Sequence, residues 1–185
     1  LIDLVGTGGD GANLFNISTG AAFVAAAAGV KVAKHGNKSV SSSSGSSDVL
    51  EVLGVNLDLN PAQIAECITD IGLGFMFAPV HHTAMQYAIG PRRELSIRTL
   101  FNILGPLTNP AFVTRHLIGS YDDALCEQMA TVLKNLGSSH AMVVHSEDGL
   151  DEISISAPTN GWELLEGKIR PFTINPATFG HAHPN

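Results

Sequence analysis

Cysteine, basic residues and long apolar runs are all scarce in this sequence of 185 residues, and each shortage removes a class of explanation. Cys67 and Cys126 stand far apart and form no Cys-x-x-Cys pair, so neither a disulfide framework nor a zinc site is indicated. Ten Lys and Arg face seventeen Asp and Glu, a net charge of -7. A surface built to neutralise nucleic-acid phosphates needs the reverse, so no nucleic-acid partner is expected. The longest small-apolar stretch, Ala21 to Val30, is roughly half of what a membrane-spanning helix requires. No basic segment with a cleavage site precedes it, so it reads as a buried helix, with no membrane partner and the cytoplasm as the expected compartment.

What is present is apolar: 44% of residues are hydrophobic and 15% charged, enough to bury a core as one compact domain over 1–185. The opening Leu1-Ile2-Asp3-Leu4-Val5 has no Met, and the chain stops at His183-Pro184-Asn185 without a closing helix. A piece of a longer two-domain protein is therefore expected.

Strands and helices alternate. Leu1 to Val5 reads as a strand, followed by the Gly-rich run Gly6 to Gly11. Ser18 or Thr19 is placed to cap a helix through Ala21 to Ala28, stopped by Gly29. Val30 to Ala33 reads as a second strand, Ser39 to Ser47 as a loop, and Asp48 to Leu53 as a helix closed by Gly54. Asn60-Pro61 is a cap followed by proline at the first helical position, opening a helix to Ile71. Leu73 to Ala78 reads as a strand, and His82 to Arg98 as mostly helical despite Gly90-Pro91. His116 to Tyr121 and Ala141 to His145 read as strands flanking an amphipathic helix, Ala124 to Leu136. Short strands follow Ile153. The pattern implies an α/β fold with a largely parallel central sheet flanked by helices, and ligands at the carboxyl ends of its strands.

Three segments carry chemistry. Gly6-Thr7-Gly8-Gly9-Asp10 follows a strand and precedes Asn16-Ile17-Ser18-Thr19 at a helix start, which suits a pyrophosphate: glycines admit close approach, and a helix N-terminus offers free N–H groups. A structural tight turn is the alternative. No Gly-Lys-Ser/Thr follows, so this is no P-loop, and the spacing is not that of a dinucleotide fingerprint. Lys34-His35-Gly36-Asn37 ends the second strand at the same sheet edge, adding a cation, a ring and an amide; a surface lysine beside a turn is the plainer reading. Asp148-Gly149-Leu150-Asp151-Glu152 follows the strand ending at His145. Adjacent carboxylates repel unless a cation holds them, and oxygen-only ligands suit Mg²⁺ beside phosphates; a solvated acidic turn is the alternative.

Together with Ser44 to Glu51, His81-His82, Arg92-Arg93-Glu94-Leu95, Arg98-Thr99 and Phe101 to Pro110, these segments resemble, in order and over nearly the whole chain, the anthranilate phosphoribosyltransferases. The resemblance implies transfer of the phosphoribosyl group of phosphoribosyl pyrophosphate (PRPP) to the amine of anthranilate, in tryptophan biosynthesis. It implies a PRPP site at Gly6, Gly9, Asp10, Asn16, Ile17, Ser18, Thr19, Lys34, His35, Gly36, Asn37, Lys38, Ser39, Val40, Ser41, Ser42 and Ser46. Magnesium is expected at Ser18, Asp151 and Glu152, and anthranilate at Gly6, Asn37, His82 and Arg92. A small helical domain, absent from this stretch, would supply homodimer contacts in the full-length enzyme. Leu14 departs from the pattern, standing where a PRPP-binding Thr is expected, and Ser96 replaces a glycine.

Displacing pyrophosphate from the anomeric carbon builds positive charge on the sugar and negative charge on the leaving group, so alignment and electrostatic stabilisation matter more than a strong base. His35 and His82 are the two possible proton acceptors; a buried structural histidine is the alternative for each. Arg92 suits a carboxylate through its planar fork. Two other functions remain as alternatives. A pyrimidine nucleoside phosphorylase-like enzyme would not need Asp151-Glu152, and a non-catalytic nucleic-acid-binding relative would need a basic groove.

Overall fold

The computed structural model describes residues 1–12, 14–38, 44–82 and 100–180. Arg92 and Ser39, Val40, Ser41 and Ser42 lie outside the described residues, as does most of the helix expected over His82 to Arg98.

The chain runs β1 (Asp3–Gly6), α1 (Ile17–Ala27), β2 (Val32–Gly36), α2 (Ser46–Val52), α3 (Pro61–Ile71), β3 (Leu73–Phe77), the single turn α4 (Ala78–His81), α5 (Phe101–Leu107), β4 (Arg115–Gly119), α6 (Cys126–Asn135), β5 (His140–Ser146), β6 (Thr159–Leu165) and β7 (Lys168–Ile174). Strands β1, β4 and β5 pair in parallel, and β6 and β7 extend the sheet as an antiparallel meander, giving the order β1-β4-β5-β6-β7. A second parallel pair, β2-β3, joins the first sheet through one bridge, Ile2 to Val32. The fold is thus the expected α/β architecture, parallel at its centre and antiparallel at one edge.

Alternation along the strands explains the layers. On one face, Leu4 and Val32 pack with Leu117 against Ala22, Ala25 and Ala26 of α1. On the other, Ala33 and Met76 meet Ile64 of α3, and Ile118, Ala141 and Val143 meet Cys126, Met129, Ala130 and Leu133 of α6. The stretch from Ala21 is thus a helix against the sheet, although Phe23 and Val24 remain exposed. Among the described residues no helix is long and apolar enough to cross a membrane.

Several ends differ from expectation for local physical reasons. Helix α1 begins at Ile17, and its N-cap Asn16 makes no side-chain capping bond. Ser18 and Thr19 sit inside the first turn rather than capping it. Helix α3 begins as expected, with the Asn60 carboxamide accepting from the N–H groups of Ala62 and Gln63, and Gln63 accepting from the Asn60 N–H. Strand β2 runs on to Gly36, because pairing with β3 continues as far as Phe77.

Candidate functional site

A cleft of about 700 Å³ opens at the carboxyl ends of β1 and β2, where the Gly6–Asp10 loop, the start of α1, the end of β2, the approach to α2, helix α5 and the loop after β5 converge. It is the place a parallel α/β sheet offers a ligand.

The glycine loop rises directly from β1. Gly8 and Gly9 have φ of 66° and 83°, a backbone region that side chains disfavour. Thr7 straps the loop down: its N–H donates to the Gly119 carbonyl (2.9 Å), and its hydroxyl accepts from the Tyr121 N–H (3.0 Å). Beyond the loop, the first turn of α1, whose N–H groups have no partner within the helix, faces the cleft, and Ser18 lies in that turn.

The acidic pair arrives from far along the chain. The Asp151 carboxylate accepts from the Gly8 N–H at 2.7 Å, 143 positions away in sequence. Burial pushes Asp151 up from 3.8 to about 6, against the lowering bond from Gly8 and with the help of Asp10 close by. Glu152 is pushed up from 4.5 to about 7, by burial first and then by the Asp151 charge, while Lys34 and the Ser18 N–H pull the other way. Asp148 points elsewhere, accepting from the Ser154 hydroxyl at 2.6 Å. Asp151 is buried and Glu152 half-buried, the latter against the Ser18 N–H, and carboxylate and hydroxyl oxygens of this kind are ligands that Mg²⁺ could take. Among the described residues no three His, Cys, Asp or Glu side chains converge as a metal cage, so phosphate and water oxygens would have to complete the shell.

Lys34 overturns the surface-lysine reading: it is 2% exposed. Its ammonium donates to the Leu4 carbonyl and to the Ser18 hydroxyl, the latter at 3.1 Å. Burial lowers its pKa, opposed by Asp3 and Glu152. His35 is 4% exposed, and its Nδ1 lies 3.3 Å from the Gly105 carbonyl. A carbonyl only accepts, so this contact makes Nδ1 the protonated nitrogen and leaves a lone pair on Nε2. Among the described residues, that Nε2 is buried without a partner, as are those of His81 and His82. Burial and the neighbouring His82 lower His35 from 6.5 to about 4, so it is neutral at physiological pH. The His35 and His82 rings meet edge-on, 4.9 Å between centroids.

Of the described residues singled out from sequence, Gly6, Gly9, Asp10, Asn16, Ile17, Ser18, Lys34, His35, Gly36, Asn37, Lys38, Ser46, His82, Asp151 and Glu152 all line this cleft. Thr19 does not. It is buried behind the wall, and its hydroxyl donates to that of Ser46 at 3.0 Å, so it tethers α2 to α1. Lys38 sits at the rim in an exposed ion pair with Glu51 (3.1 Å). Sequence reasoning passed over three residues behind the site. Asp3 is fully buried, its pKa raised by that burial from 3.8 to about 6. Asn109 donates to it at 2.7 Å. Gly119 lies against the Asp151 backbone so closely that a Cβ would overlap it. An acid in the middle of an apolar strand was the available signal for Asp3; the other two carry none that is local.

The chain matches the family described as glycosyl transferase family, a/b domain, over residues 1–184. It is 63% identical over 180 residues to the anthranilate phosphoribosyltransferase of Chromohalobacter salexigens, covering 97% of this chain and 52% of that protein. The crystal structure of anthranilate phosphoribosyltransferase from Thermus thermophilus superposes with a TM-score of 0.90 at 44% identity, covering 100% of this chain and 54% of that one. The Saccharomyces cerevisiae enzyme in complex with PRPP and Mg superposes at 0.89 with 36% identity, covering 97% and 49%. The chain therefore spans about half the length of the relatives it matches.

Proposed function

We propose, from the premise that the chain belongs to the glycosyl transferase family through its a/b domain, that it forms the PRPP-binding part of an anthranilate phosphoribosyltransferase. The observation that carries this reading is the convergence, on one cleft, of the Gly6–Asp10 loop, the α1 N-terminus, buried Lys34 and the Asp151–Glu152 pair. Relatives of that name match nearly all of this chain, and one is known with PRPP and Mg bound.

In this reading the N–H groups of the glycine loop and of the first turn of α1 take the pyrophosphate, and Lys34 adds a cation at the cleft floor. Ser18, Asp151 and Glu152 would hold magnesium, which supplies charge neutralisation to the departing pyrophosphate. The amine of anthranilate is uncharged at neutral pH and attacks without prior deprotonation. The proton it sheds afterwards needs an acceptor; His35 and His82, both lining the cleft, are the two candidates the sequence offers, and burial makes His35 a weak base. Asn37 is assigned to anthranilate, and so is Arg92, for the carboxylate, on the strength of the sequence resemblance. The full-length protein is proposed to act as a homodimer through a helical domain.

Calorimetric titration with PRPP tests the reading. Binding should be much tighter with Mg²⁺ than without it, and Asp151→Asn with Glu152→Gln should abolish the difference. Equal affinity with and without the metal would overturn the assignment. In the full-length protein, Arg92→Ala should raise the anthranilate requirement and spare PRPP affinity, a charge-assisted contact of roughly 1.5 to 3 kcal/mol. A fall in PRPP affinity instead would place Arg92 in the other subsite.

A further inference from the structure

Strands β1 and β2 touch at one bridge and then part. At Ile2 the backbones pair normally: the Ile2 N–H donates to Lys31 (3.0 Å), and the Ala33 N–H donates to Ile2 (2.9 Å). Beyond that point the backbone ladder between them stops, and side chains take its place. The His35 N–H donates to Asp3 Oδ1 at 3.2 Å. The Asn109 amide nitrogen donates to Asp3 Oδ2 at 2.7 Å and to the Ala33 carbonyl at 2.9 Å. The Lys34 ammonium donates to the Leu4 carbonyl. Each is a main-chain group of a strand, or a carboxylate standing in for one, satisfied across a gap too wide for strand pairing. Buried main-chain groups left unpaired are costly, so the gap is stable only with these side chains in place.

The gap has a purpose visible in the cleft. It sends the glycine loop and the end of β2 apart, while Asp3 and Asn109 grip β2 on both sides of Lys34, at the Ala33 carbonyl and the His35 N–H. Asn109 is itself fixed, its oxygen accepting from the Ala111 N–H at 2.8 Å. We propose that Asp3 and Asn109 are positioning residues for the pyrophosphate subsite, acting by spanning the split between β1 and β2 and so holding Lys34 at the cleft floor beside Ser18. This rests on the function proposed above. Asp3 and Asn109 are absent from the cleft wall and reach a ligand only through the end of β2, where Lys34 supplies the group that faces pyrophosphate.

The test is a double-mutant cycle in the full-length protein, reading magnesium pyrophosphate affinity by calorimetry. Asp3→Asn keeps an acceptor for the His35 N–H but sets its own amide against that of Asn109, donor against donor. Affinity should fall about tenfold, the worth of one charged hydrogen bond. Lys34→Met should cost at least as much, and the pair of changes together no more than Lys34→Met alone, because Asp3 acts through Lys34. Asn109→Ala should show a smaller loss that also vanishes in the Lys34→Met background, and it carries the same cycle if Asp3→Asn does not fold. Undiminished affinity in both single variants, or losses that add to that of Lys34→Met, would overturn the proposal by showing a general structural role. Failure of the unsubstituted protein to bind magnesium pyrophosphate would overturn the proposed function first, and this inference with it.

Discussion

A Cβ added at Gly119 would overlap the backbone carbonyl of Asp151, and one added at Gly6 would lie 2.5 Å from the Asp151 Oδ2. The acidic pair is seated where two neighbouring strands carry no side chain, and backbone cannot give way as a flexible side chain can. Gly119→Ala should therefore cost more than about 3 kcal/mol of stability, or push the Asp151 loop out of the cleft and erase magnesium-dependent PRPP binding. Chemical denaturation and calorimetry would reveal either result; a variant that matches the parent in both would refute this account of the seat. The pair's ionisation makes a second prediction. In the unfolded chain Asp151 and Glu152 titrate near their ordinary values of 3.8 and 4.5, whereas in the folded chain they hold their protons to about 6 and 7. The folded state binds more protons over that interval, so these groups remove stability as pH rises through it. The variant carrying Asp151→Asn and Glu152→Gln should melt several degrees above the metal-free parent at pH 8, with the gap narrowing below pH 7 and closing only below about pH 4. Magnesium should raise the parent's melting temperature at pH 8 and leave the variant's unchanged. Parallel melting curves for the two proteins across that range would contradict it.

Elements were legible where their signals are local. Helix α3 is the clearest case: Asn60 caps, Pro61 opens, Gln63 closes the box and Gly72 ends the helix in the left-handed region (φ 82°). Asn60→Ala should lower stability by about 1 kcal/mol and leave PRPP affinity untouched, since the cap lies outside the cleft. A denaturant midpoint equal to the parent's would show that the box contributes nothing. Signals of the same kind placed the glycine loop after β1 and the acidic pair after β5. Reading Ser18 or Thr19 as a cap failed because both are needed inside the first turn, one at the cleft and the other bonded to Ser46. Lys34 defeats any reading from residue type alone, because its burial depends on a carbonyl of β1 and a hydroxyl of α1 that reach it only after folding. The one-bridge junction of β1 with β2 was illegible for the same reason. Periodicity marks strands, and says nothing of where a neighbour lets go.

At the scale of the whole molecule, the strand order places β1, first in the chain, between β2 and the much later β4. The contacts that complete the cleft are correspondingly distant: Asn109 meets Asp3 from 106 positions away, Tyr121 meets Thr7 from 114, and Asp151 meets Gly8 from 143. Closing such loops costs entropy before any contact repays it, which slows folding. The site should thus be the last part of the molecule to acquire its shape. In stopped-flow refolding, far-ultraviolet circular dichroism should recover before the capacity to bind magnesium-PRPP does; simultaneous recovery would argue against this order. The same geometry bears on biosynthesis. While the chain leaves the ribosome, the edge of β1 that pairs with β4 lacks that partner until Arg115–Gly119 emerges. During that interval the nascent protein carries an unpaired central strand, the kind of edge on which chains associate wrongly. The acidic surplus of the sequence, beyond the Asp151–Glu152 pair, then has a use in keeping one unfinished copy away from the next.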